Sequence, residues 1–236
     1  MGFSKFFNEH FIKKPIDYDT WDRQLLDKGW ERKGEGSFGI AYVHPNKDYI
    51  YKIFRNDPGY DFFLKFALQN QKDKSVVKLK RVVLNNAASP DENYLSSKSI
   101  PNVIVLEKLT PLRDKISNYD LVFNASFIIM KSLDQVYKDG MTYEQAIAAL
   151  LDYAKKQYAS AYKNITNRKD YALKVWRRMI NLLRSPMMYK LPIFRTMYNL
   201  FIFRKENGSE RYWDLHDGNL MYRESTGDIV LTDPFV

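Results

Sequence analysis

The chain has 236 residues and no cysteine. That absence removes disulfides, thiolate metal sites and cysteine nucleophiles together, and it is compatible with a reducing compartment. Histidine is scarce, with three in all, and these do not make a zinc site. His10 and His44 lie near no nucleophile or carboxylate cluster and read as structural or exposed. No apolar run approaches the roughly eighteen residues of a membrane span, so no membrane role is expected. The opening stretch MGFSKFFNEHFIKKP carries acidic Glu9 and no small-residue cleavage site, and reads as unprocessed. Phe6 stands where a myristoylation signal wants Ser or Thr, which argues against lipidation. Repeats and low-complexity tracts are also missing.

What is present suits one large domain or two closely packed lobes, with 45% hydrophobic residues for a core. The formal charge of +9 is unevenly placed. Leu150 to Arg211 holds 14 basic against 4 acidic residues, so that stretch carries +10 and the remainder −1. A basic stripe can steer nucleic acid or an acidic protein, but a solvated helix face is the plainer reading and is placed first.

Hydrophobic periodicity divides the chain. Asp19 and Thr20 read as a helix cap ahead of WDRQLLDKGW, with Gly29 at its end. WERKGEGSFGIAYVHP and DYIYKIFR alternate as strands, YDFFLKFALQNQ has helical spacing, and SVVKLKRVVL and NVIVLEKL return to alternation around a polar loop. From there the pattern predicts helices over about 119–137, 142–166 and 169–204, broken at Ser185-Pro186, with Thr142 and Gln145 in capping-box form. Two short strands close the sequence. The expected architecture is α+β, with an antiparallel-sheet lobe over 1–109 and a mostly helical lobe over 110–236. The aromatic-rich YKLPIFRTMYNLFIFR reads as core before it reads as a base-stacking surface.

Two polar motifs carry chemistry. GEGSFG has the G-x-G-x-x-G pattern and is followed on a strand by Lys52; glycines of this kind serve a phosphate loop or simply a tight hairpin. DLHDGNLMYRESTGDIVLTDPF places Asp214 and Asn219 five residues apart and Asp233 fourteen beyond Asn219. Phosphoryl transfer runs through a loose, anionic transition state, so it needs positioning and charge neutralisation rather than a covalent nucleophile. An amide oxygen and a carboxylate can hold Mg²⁺ among phosphates while a second carboxylate accepts a hydroxyl proton. The competing reading is a polar hairpin whose Asp, Gly and Asn serve turns. It is the joint order of the motifs that favours the chemistry.

From about Gly34 to the end, this set resembles the protein-kinase-like superfamily. GEGSFGIAY is similar to its glycine-rich loop, YKIF to the strand with the ATP lysine, DLHDGN to the D-L-H-x-G-N loop of aminoglycoside-phosphotransferase-like kinases, and TDPF to the metal-binding motif. LLDKGW, GEGSFGIAYVHP, DLHDGNLMY and LTDP together resemble the early serine/threonine protein kinases of short-tailed T-seven-type coliphages. AYVHP is the most telling piece, because phosphate binding does not require it.

The resemblance implies a two-lobed kinase fold with a truncated C-terminus, ATP and Mg²⁺ as cofactors, and host proteins as substrates or targets in a host-cell cytoplasm. It makes Asp214 the catalytic base, with Lys52 holding the α- and β-phosphates and His216 near the transferred phosphate. Gly34, Gly36, Ser37, Phe38, Gly39, Lys52 and Glu107 become nucleotide contacts, and Asn219 and Asp233 metal ligands facing an open cleft. Two departures stand against it. No glutamate occurs between Lys52 and Glu92 to pair with the lysine, which leaves Gln69, Gln71, Asp73 or Asp61 as substitutes, and the sequence stops three residues after Asp233. A kinase-shaped binding protein that inhibits a host or defence factor is therefore the second reading. A small-molecule kinase is third and a nucleic-acid binder last; the oligomeric state is left open.

Overall fold

A computed structural model describes residues 17–36, 39–55, 57–83, 101–117, 119–163, 170–209, 212–215 and 218–235. The fold is α+β. Two compact units emerge: residues 17–71 and 77–109 form the first, and residues 72–76 with the chain from 110 onward form the second.

The first unit starts with helix α1 (Tyr18–Asp27). Its cap is Asp17, two residues earlier than expected, whose carboxylate accepts the Thr20 N–H at 2.8 Å. Gly29 ends it at φ 81°, as the Trp30 N–H bonds back to Leu25 O and the Gly29 N–H to Leu26 O. A Cβ would strain that left-handed position.

The stretch expected as one strand is two, β1 (Glu31–Gly36) and β2 (Gly39–Val43), antiparallel with a register shift between Arg32 and Gly34. With β3 (Tyr49–Phe54), β4 (Leu79–Val83) and β5 (Asn102–Glu107) they form a sheet in the order β1-β2-β3-β5-β4. Trp30, Ile40, Tyr42, Ile53 and Val103 pack with Leu25 into one cluster, flanked by Tyr18, Trp21, Tyr49 and Tyr51. Helix α2 (Pro58–Gln69) begins at capping Asp57 with Pro58 in its first turn, and buries Tyr60, Phe63, Leu64, Phe66 and Ala67.

The second unit opens with short β6 (Thr110–Pro111), followed by helices α3 (Tyr119–Val136), α4 (Tyr143–Lys163), α5 (Asp170–Arg184), α6 (Pro186–Tyr189) and α7 (Pro192–Glu206). Thr142 and Gln145 form the reciprocal capping box at α4. The helix expected to resume at Pro186 stops again before Pro192, which starts α7, since proline cannot continue a helical ladder. The aromatic run is core: Phe194, Met197, Tyr198 and Phe201 are buried.

Strands β7 (Leu220–Arg223) and β8 (Asp228–Leu231) complete a three-stranded sheet with β6. The buried Arg223 guanidinium donates to the carbonyls of Lys74 and Val76 and faces Asp228 at 3.4 Å. Leu231 N–H donates to Ser75 O at 2.8 Å, and Thr196 Oγ1 to Asp73 at 2.7 Å. These bonds make residues 72–76 part of the second unit.

Asp22 ties α1 to the sheet, accepting from Arg32 Nε at 2.9 Å and from the Tyr42 hydroxyl at 2.6 Å. Burial pushes its carboxyl up, but the bonds from Arg32 and Tyr42 outweigh it and hold the group below its ordinary value. Asp22→Asn is expected to cost about 1–3 kcal/mol at neutral pH, because two donors lose a charged acceptor. A depressed carboxylate contributes fully above its unfolded value near 3.8 and loses that contribution as pH falls through the folded value. The stability gap between wild type and variant in urea should therefore close below about pH 4. A gap unchanged down to about pH 2 would show that Asp22 acts through shape rather than charge.

Candidate functional site

In the second unit the ladder of β7 and β8 pairs Leu220 with Leu231, and Thr232 N–H extends it by donating to the Asn219 carbonyl at 3.1 Å. Asn219 and Asp233 therefore flank the same end of the hairpin. Asp214 joins them through its backbone: its N–H donates to Pro234 O at 2.9 Å, and its carbonyl accepts the Asn219 side-chain Nδ2 at 2.5 Å. Trp213 and Phe235 pair across the same two segments, their rings stacked at 4.6 Å. Arg204 of α7 lies 4.8 Å from the Trp213 ring and ion-pairs with Asp134. The loop bearing Asp214 is thus held from both sides.

This arrangement corrects one expectation. Asn219 is 5% exposed, so it does not stand open to a cleft, because its amide closes the loop. The geometry divides the side chain: Nδ2 is committed to Asp214 O, and Oδ1 is its acceptor end. Asp214 and Asp233 are half-buried, with Asp233 Oδ1 inside the surface. Among the described residues no group of three or more His, Cys, Asp or Glu could hold a metal. One amide oxygen and one carboxylate fit Mg²⁺, which binds through one or two carboxylates and retains water or phosphate ligands. His216 lies outside the described residues.

The first unit holds the other candidates. Lys52 sits on central strand β3, opposite Ala41 on one side and Ile104 on the other. Gly34 and Gly36 lie on β1 and Gly39 on β2, while Ser37 and Phe38 fall outside the described residues. Neither Gly34 nor Gly39 has a positive φ. Gly39 is required by close approach instead: a Cβ there would meet Ile53 O at 2.5 Å and the Phe54 Cβ at 2.7 Å. At Gly34 a Cβ would meet only the Ala41 Cβ, at 4.0 Å.

Glu107 ends β5, and its carboxylate accepts the Lys78 N–H at 2.7 Å. Its backbone N–H also bonds to Lys78 O, so this residue ties the strand end to the chain ahead of β4.

The substitutes for a helix glutamate are mostly accounted for. Gln71 bonds the carbonyls of Ala67 and Val77 and the Leu79 N–H, Asp73 belongs to the second unit, and Gln69 is exposed. Burial pushes the Asp61 carboxyl up, Asp57 does the same, and Lys65 opposes them.

The structure thus brings Asp214, Asn219 and Asp233 together in one unit, and the glycine hairpin and Lys52 in the other. Sequence reasoning missed Trp213, Phe235 and Arg204, although the aromatics beside Asp214 and Pro234 were visible in YWDLH and DPF. A cavity of about 190 Å³ lies elsewhere in the second unit, between α3 and α5, lined by Ala125, Ile128, Val175, Met179 and the basic Lys174 and Arg178.

No family model and no curated protein matches the chain. Among solved structures, a kinase domain is similar at 18% identity and a TM-score of 0.24, over 62% of this chain and 38% of its own length. An aminoglycoside phosphotransferase from Alicyclobacillus acidocaldarius is similar at 14% identity and a TM-score of 0.31, over 95% of this chain and 67% of its own. The chain spans well under half of the kinase domain. These are distant likenesses, and the site stands on its own residues.

Gly39→Ala is expected to destabilise by about 1–3 kcal/mol, as overpacking against backbone does, whereas Gly34→Ala should leave stability nearly unchanged. Urea unfolding of both variants checks this. Equal losses would mean that the hairpin needs both glycines for folding alone.

Proposed function

We propose that the chain is an ATP- and Mg²⁺-dependent phosphotransferase acting on serine or threonine hydroxyls of proteins. The observation that carries this reading is the Asn219 amide locked onto the Asp214 carbonyl, with Asp214 N–H on Pro234 O, which joins the three polar residues spaced along DLHDGN and TDP. In this reading Asp214 orients the acceptor hydroxyl and takes its proton. Asn219 Oδ1 and the Asp233 carboxylate would hold Mg²⁺, which when bound neutralises charge on the phosphates. Lys52 supplies a fixed cation from the centre of a rigid sheet, and the amides of the Gly34–Gly39 hairpin cover the phosphates. Protein acceptors with acidic flanks suit the helices, where Lys156 and Arg178 are exposed.

A second reading has its own support: α2 carries no glutamate for Lys52. On that reading the chain binds its partner without phosphorylating it.

The test combines melting curves with label transfer. Mg²⁺-ATP at about a hundred times its dissociation constant should stabilise the protein by about 2.7 kcal/mol. Label from ATP should reach proteins in a bacterial lysate, and acidic-flanked serine peptides in preference to basic-flanked ones. Asp214→Ala should keep the nucleotide-induced stabilisation and lose about 10²–10⁴-fold in transfer. Stabilisation without transfer by wild type selects the binding reading, and no stabilisation at saturating nucleotide removes the nucleotide site.

A further inference from the structure

The cavity of about 190 Å³ between α3 and α5 has two kinds of wall. Its floor is apolar: Ala125, Met179 and Leu182 are buried, with Ile128 and Val175 half-buried beside them. Its lining also includes Lys174 and Arg178, both exposed, and no carboxylate among the described residues. Helix α5 as a whole carries four basic residues against one acidic. Size narrows the occupant further. A cavity of about 150 Å³ takes a benzene ring, while drug- and cofactor-sized ligands occupy about 300–1,000 Å³. The space between α3 and α5 therefore admits one ring or one branched aliphatic group.

We propose that this cavity is a docking site for an acidic peptide segment of a protein partner, which inserts one large apolar side chain and sets its flanking carboxylates beside Arg178. An anchor in a desolvated pocket supplies affinity, and charges at the rim supply partner choice and speed of encounter. Other occupants match the walls less closely. A second copy of the chain would bring its own charge of +9 against the same basic helix. A bilayer takes up protruding apolar side chains, and among the described residues of α5 no large one is exposed. A nucleobase has the right size but would press its polar edges onto Met179 and Leu182. Because Arg178 is exposed, an anion beside it keeps its water, as the flanking carboxylates of a peptide do. The site requires no phosphate transfer, so it serves a phosphotransferase and a binding protein alike.

The experiment uses the full chain with carbon-13 methyl-labelled methionine and a Met179→Leu sample for assignment. The probe is a short peptide with one phenylalanine between glutamates. Its titration should shift the Met179 methyl signal saturably, through the ring current of the inserted phenyl group, and rising salt should weaken the binding. Replacing the peptide's phenylalanine by alanine should weaken binding at least about tenfold. Arg178→Glu, a change at an exposed position, should weaken it about three- to tenfold. Val175→Trp should fill the cavity and abolish the shift; if that variant unfolds, Arg178→Glu and the altered peptides still decide. An unmoved Met179, or an Arg178→Glu variant that binds like wild type, overturns the proposal. Equal binding of a lysine-flanked peptide overturns it by showing a hole indifferent to charge. Equal binding of phenylpropionate reassigns the cavity to a small molecule, a stronger shift with a uridine oligonucleotide reassigns it to nucleic acid, and a shift that follows protein concentration alone reassigns it to a second copy. Since the readout is binding, a chain that transfers no phosphate leaves the site standing.

Discussion

One amide governs the second unit's polar site. Asn219 places its Nδ2 on the carbonyl of Asp214, and that bond closes the turn between the loop and β7. A neutral hydrogen bond of this kind contributes about 1 kcal/mol net, and leaving a desolvated carbonyl unsatisfied costs about 1–3 kcal/mol, so Asp214 and Asn219 are held together. Asparagine alone among small polar residues meets both demands. Aspartate at 219 has no donor for the carbonyl, and serine is too short to offer an acceptor on the far side as well. The Trp213–Phe235 stack and the Arg204 guanidinium brace the same segment from outside.

Part of the basic excess is paired once its members are placed, while Lys156 and Arg178 stay exposed. Arg204 pairs with Asp134, Arg195 with Glu144 at 2.7 Å, Arg177 with the Tyr158 hydroxyl at 2.8 Å, and Lys155 with Asp152 at 3.1 Å. Arg195 also lies 4.6 Å from the Tyr143 ring, whose hydroxyl burial pushes up to about 12. A charge tally along the chain cannot distinguish such cations from those that face solvent, because pairing partners such as Asp134 lie outside the counted stretch.

Features written in short windows were legible in the sequence. The Thr142/Gln145 box, the Gly29 stop and the lysine on an alternating strand follow from local stereochemistry. The β1–β2 division was hidden because alternation continues on both sides of the turn, and the second helix break was missed although Pro192 announced it. The Asn219–Asp214 bond needed only the five-residue spacing to be suspected, yet its burial of Asn219 depended on how β7 meets β8. The cavity between α3 and α5 was invisible, since a gap between helices has no residue type of its own to read. Residues 72–76 escaped for a related reason: they bind through carbonyls, which every residue carries.

Those five residues also set an order of events. The bonds from Arg223 to Lys74 and Val76 span 149 and 147 positions. At about 5–20 residues per second, a ribosome needs roughly 7–30 s between making the two ends. The sheet of the first unit can pair in that interval, while the 72–76 strip waits with its carbonyls in water. Loop closure over such a span is entropically slow to reward, so the hairpin pairs locally first and its docking on the 72–76 strip comes later. A nascent chain stalled before Arg223 would hold a paired first sheet and an unfinished second unit, which makes that stretch of synthesis the period of greatest exposure to proteases and chaperones.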